Sequence, residues 1–84
     1  MAKLLEKPEE IRVTANTSGV PLTLCRHGTR EKVTAIYEQW KVADRWWGKD
    51  IERCYFRVKT SRGLVCDIYH ETGTNSWYLS RIHD

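Results

Sequence analysis

One hairpin constrains this chain more than anything else in it. Cys54, Phe56 and Val58 alternate with Arg53, Tyr55, Arg57 and Lys59, and Leu64, Cys66 and Ile68 alternate with Val65, Asp67 and Tyr69. A period of two marks strands with one buried face. Between the runs lies Ser61-Arg62-Gly63. A three-residue loop of this kind takes a type I turn followed by a left-handed residue, which Gly63 supplies without steric cost. The loop fixes the register. Thr60 faces Leu64, Val58 faces Cys66 and Phe56 faces Ile68 on one side; Arg57 faces Asp67, Tyr55 faces Tyr69 and Arg53 faces Glu71 on the other. A slip of one residue would set Phe56 against Asp67 and destroy both patterns. Two opposite-charge pairs and an aromatic pair fall together in this register, each contributing roughly 0.2–1 kcal/mol.

The rest of the chain reads as further strands separated by turns. Residues 1–9 are polar, reach Pro8, and read as a flexible lead-in to a single all-β domain over 10–84. Ile11, Val13 and Ala15 alternate with Arg12 and Thr14, then Asn16-Thr17-Ser18-Gly19 makes a turn. Val20, Leu22 and Leu24 give a second alternating run, closed by a turn at residues 26–30. Glu71 to Ser76 is a polar loop and Trp77 to Ile82 a last strand.

Residues 32–42 fit two periods. Val33, Ile36, Tyr37 and Trp40 lie on one helical face, while Ile36, Trp40 and Val42 share a strand face if a bulge sits near Ala35. The Val, Thr, Ile, Tyr and Trp content favours the strand, with a short helix over 29–40 as the alternative. Trp40 is then expected in the core. Asp44 to Asp50, with Trp46-Trp47-Gly48, reads as a loop. The expected fold is all-β: a small antiparallel barrel, SH3-like or similar, or a strongly curled meander of about six strands.

Bulk composition bounds the function. Net charge is +3, from 14 basic and 11 acidic residues, with no basic tail, so nucleic acid is permitted and not required. No apolar run is long enough to span a membrane, and the first ten residues lack the apolar segment of a signal peptide. Three Cys without a C-x-x-C point away from a disulfide framework and toward a reducing cytoplasm. Eight of the nine aromatics are Trp or Tyr, whose polar tips suit core edges and binding faces.

No motif of catalysis or phosphate binding is present, so no enzyme activity and no cofactor are expected. Cys25-x-His27 and Cys66-x-x-x-His70 each place two metal-ligand types on one strand face. Their spacing matches no finger or ribbon, and they read as core thiols and surface histidines with no metal.

The series Trp40-x-Val42-x-Asp44-x-Trp46-Trp47, Arg53-x-Tyr55-Phe56-x-Val58, Gly63-x-x-x-Asp67-Ile68-Tyr69 and Trp77-Tyr78-Leu79 resembles an uncharacterised bacterial domain family. Its members look like small stand-alone proteins. A similar segment closes ImuB-like relatives of Y-family DNA polymerases. The resemblance spans about residues 11–84 and implies a bacterial cytoplasmic setting and a link to DNA repair. It carries over no catalytic or ligand residue, and it makes Cys54 and Cys66 substitutions at ordinary core positions.

Two functional expectations follow. The first is a binding module for single-stranded nucleic acid, or for a repair or polymerase-associated protein, acting through Arg53, Tyr55, Arg57, Tyr69 and one of Trp46 and Trp47. Interleaved cations and rings serve that chemistry, because cations meet phosphates and rings stack bases. Against it, Asp67 and Glu71 should neutralise Arg57 and Arg53 locally. The second is a protein-interaction module that presents the Trp46-Trp47 loop to a partner protein or to a second copy of the chain, without nucleic acid binding, since Trp is enriched among interface anchors.

Overall fold

Six strands run antiparallel in chain order and close into a barrel: β1 (Ala2–Ala15), β2 (Pro21–Arg26), β3 (Thr29–Trp46), β4 (Lys49–Thr60), β5 (Val65–Glu71) and β6 (Ser76–His83), with β6 returning to β1. This computed structural model describes the backbone of residues 2–46 and 48–83 and the side chains of residues 8–43, 45, 48 and 50–83. No helix forms among the described residues, so the 29–40 stretch is strand.

The β4–β5 hairpin holds the register its loop dictates. Phe56 pairs with Ile68, Val58 with Cys66, Arg57 with Asp67, Tyr55 with Tyr69 and Arg53 with Glu71. Gly63 sits at φ +85°, its N–H donating to the Thr60 carbonyl at 2.9 Å. At the β2–β3 turn, His27 and Gly28 both have positive φ, as a two-residue type I′ hairpin requires.

Inward-facing residues of five strands fill the barrel. Ile11, Leu24, Phe56, Val58, Cys66, Ile68, Trp77 and Leu79 form the core, with Val13, Ala15, Val33, Cys54, Leu64 and Ile82 packed against it. A polar pair joins them near one end. The Thr60 hydroxyl donates to Glu31 Oε1 at 2.7 Å, which satisfies a carboxylate that would be costly to bury alone.

Three features differ from expectation. Residues 2–9 are not a loose lead-in: they are the first half of β1, where Ala2, Lys3 and Leu4 pair with His83, Ile82 and Arg81. The register shifts between Leu4 and Glu9, and Pro8, which has no N–H to give a ladder, falls inside that irregularity. The stretch read as a loop from Asp44 to Asp50 is largely strand as well: Asp44–Trp46 belongs to β3 and Lys49–Asp50 to β4. β3 and β4 stay paired out to Trp46 and Lys49. β5 joins β4 only from Arg53 onward, so the end of this hairpin projects as a two-stranded arm.

Trp40 is the third. One bulge near Ala35 would turn the even-numbered positions from Ile36 onward, Trp40 included, toward the core. That bulge exists, between Val33 and Ala35, but a second lies between Ile36 and Glu38. The second swaps the faces again. Gln39, itself exposed, therefore takes the register position opposite the core residue Phe56, and Trp40 the one opposite Tyr55 on the outer side. The core tryptophan is Trp77, whose ring lies 5.8 Å from that of Phe56.

Candidate functional site

The register of β3 to β6 builds three rows across the outer face. The middle row is aromatic: Trp40, Tyr55, Tyr69 and Tyr78, one residue per strand. Successive ring centroids are 5.3, 4.9 and 5.1 Å apart, and the Trp40 and Tyr55 planes differ by only 8°. The Trp40–Tyr55 and Tyr69–Tyr78 pairs stack and the Tyr55–Tyr69 pair is tilted by 35°, each contact worth roughly 0.5–1.5 kcal/mol. Glu10 of β1 pairs with Tyr78 and ends the row.

The row on one side is ionic: Glu38, Arg57, Asp67 and Arg81. Arg57 Nε donates to Asp67 Oδ1 at 2.9 Å and Nη2 to Oδ2 at 3.4 Å, while Nη1 lies 3.5 Å from Glu38. His83 Nε2 approaches the same Asp67 oxygen at 3.1 Å. The hydrogen bond to Asp67 raises the Arg57 pKa above its ordinary value. Arg57 also lies over the Trp40 ring, 5.8 Å from its centroid.

The row on the other side holds Val42, Arg53, Glu71 and Ser76. Glu71 faces Arg53 in register, yet Arg53 makes no ion pair among the described residues. Its guanidinium lies over the Tyr69 ring at 5.1 Å instead. Burial works against this charge, but the Tyr69 and Tyr55 phenols and Glu71 outweigh it and raise the Arg53 pKa.

Four of the six expected site residues thus meet on one face: Arg53, Tyr55, Arg57 and Tyr69. Tyr69 is only 4% exposed, walled in by Tyr55, Tyr78 and Arg53. A base could stack on it only by displacing Arg53. Burial also pushes its phenol pKa up, partly offset by Arg53. Tyr55 and Trp40 remain half-buried. The expectation that one of Trp46 and Trp47 is exposed lies outside the described residues, because Trp47 and the Trp46 side chain fall there.

Sequence reasoning missed Trp40 and Tyr78 as ladder members. Tyr78 was recoverable from the alternation in Trp77-Tyr78-Leu79. Trp40 was not, because neither bulge is marked by a glycine.

Elsewhere the chemistry is sparse. His70 Nε2 lies 2.7 Å from Asn75 Oδ1, and its ring lies tilted against that of Trp77, with centroids 4.8 Å apart. Among the described residues no group of three or more His, Cys, Asp or Glu could hold a metal ion. A hollow of about 530 Å³ is lined by Glu10, Ile11, Arg12, Cys25 and Gly28. No helix of the described residues is long and apolar enough to cross a membrane.

The three thiols differ in setting. Cys25 and Cys54 are half-buried and Cys66 is fully buried, its pKa pushed up to about 12 chiefly by that burial. The thiolate is the reactive form. Iodoacetamide at about pH 8 should therefore alkylate Cys25 and Cys54 in the folded protein and reach Cys66 only after denaturant is added. Peptide mass spectrometry reads this directly, and modification of Cys66 at an equal rate in the native protein would refute it.

No curated protein and no solved structure matches the chain. Over residues 5–84 it matches a family described as a domain of unknown function, DUF6504. The chain, a closed six-stranded barrel with an aromatic ladder on its outer face, belongs to that family.

Proposed function

We propose that this barrel is a binding module for single-stranded nucleic acid, acting through the Trp40–Tyr55 end of the ladder with Arg53 and Arg57 beside it. The observation that supports it best is Arg53. Its charge meets no carboxylate at ion-pair distance among the described residues, and it lies beside an aromatic row with three half-buried rings, Trp40, Tyr55 and Tyr78. Arg57 is held between Asp67 and Glu38 and serves mainly to fix the Trp40 ring. Tyr69 supports Arg53 from beneath instead of touching a base. The resemblance to a segment of polymerase relatives points the same way, toward a bacterial cytoplasmic protein accompanying a repair or polymerase-associated partner.

Titration of a labelled oligothymidylate at low and at physiological salt tests this. Affinity should fall as salt rises, and Arg53→Gln should reduce the salt slope by about one. Tyr55→Ala should weaken binding by roughly 5- to 150-fold, the worth of one stacked base. Absence of binding at low salt, or binding indifferent to both substitutions, would overturn the reading.

The projecting β3–β4 arm favours a second reading. Its last backbone pair, Trp46 with Lys49, stands beyond the barrel's β4–β5 pairing, where a partner protein could be met. A pull-down comparing wild type with a Trp46→Ala/Trp47→Ala double variant separates the two readings. Loss of partner proteins with oligonucleotide binding intact would favour the arm.

A further inference from the structure

β3 has one paired edge and one edge that is largely open. It meets β2 only over Thr29–Lys32, through Arg26 to Thr23, and meets β4 along the rest of its length. Among the described residues β3 packs against no other strand. From Val33 onward its second edge therefore offers backbone N–H and C=O groups without strand partners. Such an edge is a template for another strand unless something blunts it.

Bulges blunt only its first part, at Val33–Ala35 and Ile36–Glu38. Beyond them, Glu38 to Trp46 pairs with Arg57 to Lys49 without interruption, a straight run of nine residues. The same strand carries Ile36, Tyr37 and Val42, three of the four exposed large hydrophobics among the described residues. Open backbone and exposed apolar side chains thus coincide on one strand.

We infer that this edge of β3 pairs antiparallel with the β3 of a second copy of the chain, about a two-fold axis at Val42. Symmetry restricts the choices, because an axis normal to the sheet must pass a residue that faces its own copy. Length and charge then select one. Val42 is the midpoint of the straight run from 38 to 46, so this axis uses all nine residues. It sets Lys41 opposite Ala43 and Gln39 opposite Arg45, with no like charges face to face. An axis at Lys41 would oppose Lys41 to itself, and one at Ala43 would oppose Lys41 to Arg45; both are unfavourable. An axis at Trp40 would run into the bulge after two residues. The Val42 pairing joins the two outer faces into one sheet, with the two Trp40 positions flanking the central valines. It does not depend on what the ladder binds.

Sedimentation equilibrium on the full chain tests it. The wild type should sediment at twice 9.9 kDa at about 100 μM. Val42→Lys and Val42→Glu each place like charges at the axis and should raise the dimer Kd by roughly 10- to 100-fold. Because residue 42 faces its own copy, an equimolar mixture of the two variants should recover the dimer. Circular dichroism checks that each variant keeps its strands. A monomeric wild type at that concentration would overturn the proposal. So would variants that dimerise like wild type, or a mixture no tighter than either variant alone. Pairing with an unrelated extended peptide at this edge, without self-association, would also overturn it.

Discussion

Between pH 9 and pH 12 the wild-type protein should lose about 4 kcal/mol of stability that a Cys66→Val variant keeps. Cys66 lies at the centre of the barrel with no exposed surface. Burial raises its thiol pKa from an ordinary 9.0 to about 12; Asp67 and Glu31 add to the rise and Arg26 opposes it. Below pH 9 the thiol is neutral in both folded and unfolded chains, so its full contribution is present. Between 9 and 12 the unfolded chain releases the proton while the folded chain holds it. The unfolded state then binds fewer protons, and stability falls with rising pH by about 1.4 kcal/mol per unit. Valine cannot titrate, suits a strand, and changes the core volume little, so its own cost should be under about 1.5 kcal/mol. Other groups, Tyr69 with its raised pKa among them, titrate alike in both proteins. The difference between two series of urea titrations from about pH 8 to about pH 11, over which about 2.7 kcal/mol of that loss should already appear, therefore isolates Cys66. Parallel stability curves for the two proteins would refute the assignment.

The parts of this fold that could be read from the sequence are those where a local rule and a long-range rule agree. In the β4–β5 hairpin, the Ser61-Arg62-Gly63 loop fixes a register, and the same register sorts apolar from polar residues. Neither alone would have sufficed. Where one rule was missing, the reading failed. The second bulge in β3 leaves no mark in residue type, so alternation alone puts Trp40 in the core and omits the outermost ring of the ladder. Residues 43, 45, 48 and 50 of the projecting arm are all exposed, so no buried face among them imposes alternation. Arg45 and Asp50 are both well exposed there and pair at 3.5 Å, and such a segment reads as a loop. The start of β1 is polar and includes Pro8, features of a tail, yet β6 offers it an edge. The candidate site was half legible for a related reason. Register places Tyr55 and Tyr69 side by side, but only side-chain packing puts Arg53 over Tyr69 instead of against Glu71. That packing both covers one expected stacking ring and leaves Arg53 without an ion-pair partner among the described residues.

Replacing Asp67 with alanine should cost about 2–4 kcal/mol and lower the melting temperature by roughly 10–25 °C. Asp67 is a carboxylate only 4% exposed, on the outer face of β5. It survives there because Arg57 grips both oxygens, at 2.9 and 3.4 Å, and His83 stands 3.1 Å away. Removing it leaves Arg57 with Glu38 alone, at 3.5 Å on a more exposed side chain. The figure stays below the upper range for a fully buried pair because Arg57 keeps partial contact with water. The ladder should register the change as well. Arg57 lies over the Trp40 ring, and Asp67 holds it there. Released, the arginine should free the Trp40–Tyr55 stack, with a shift in tryptophan fluorescence that a Trp40→Phe background abolishes. Asp67→Asn keeps an acceptor for Arg57 Nε without the charge, so its loss should fall between alanine and wild type. A double-mutant cycle with Arg57→Ala measures the coupling directly, and it should exceed about 1 kcal/mol for two residues in contact. An Asp67→Ala variant within about 0.5 kcal/mol of wild type would mean that the ionic row decorates this face without holding it.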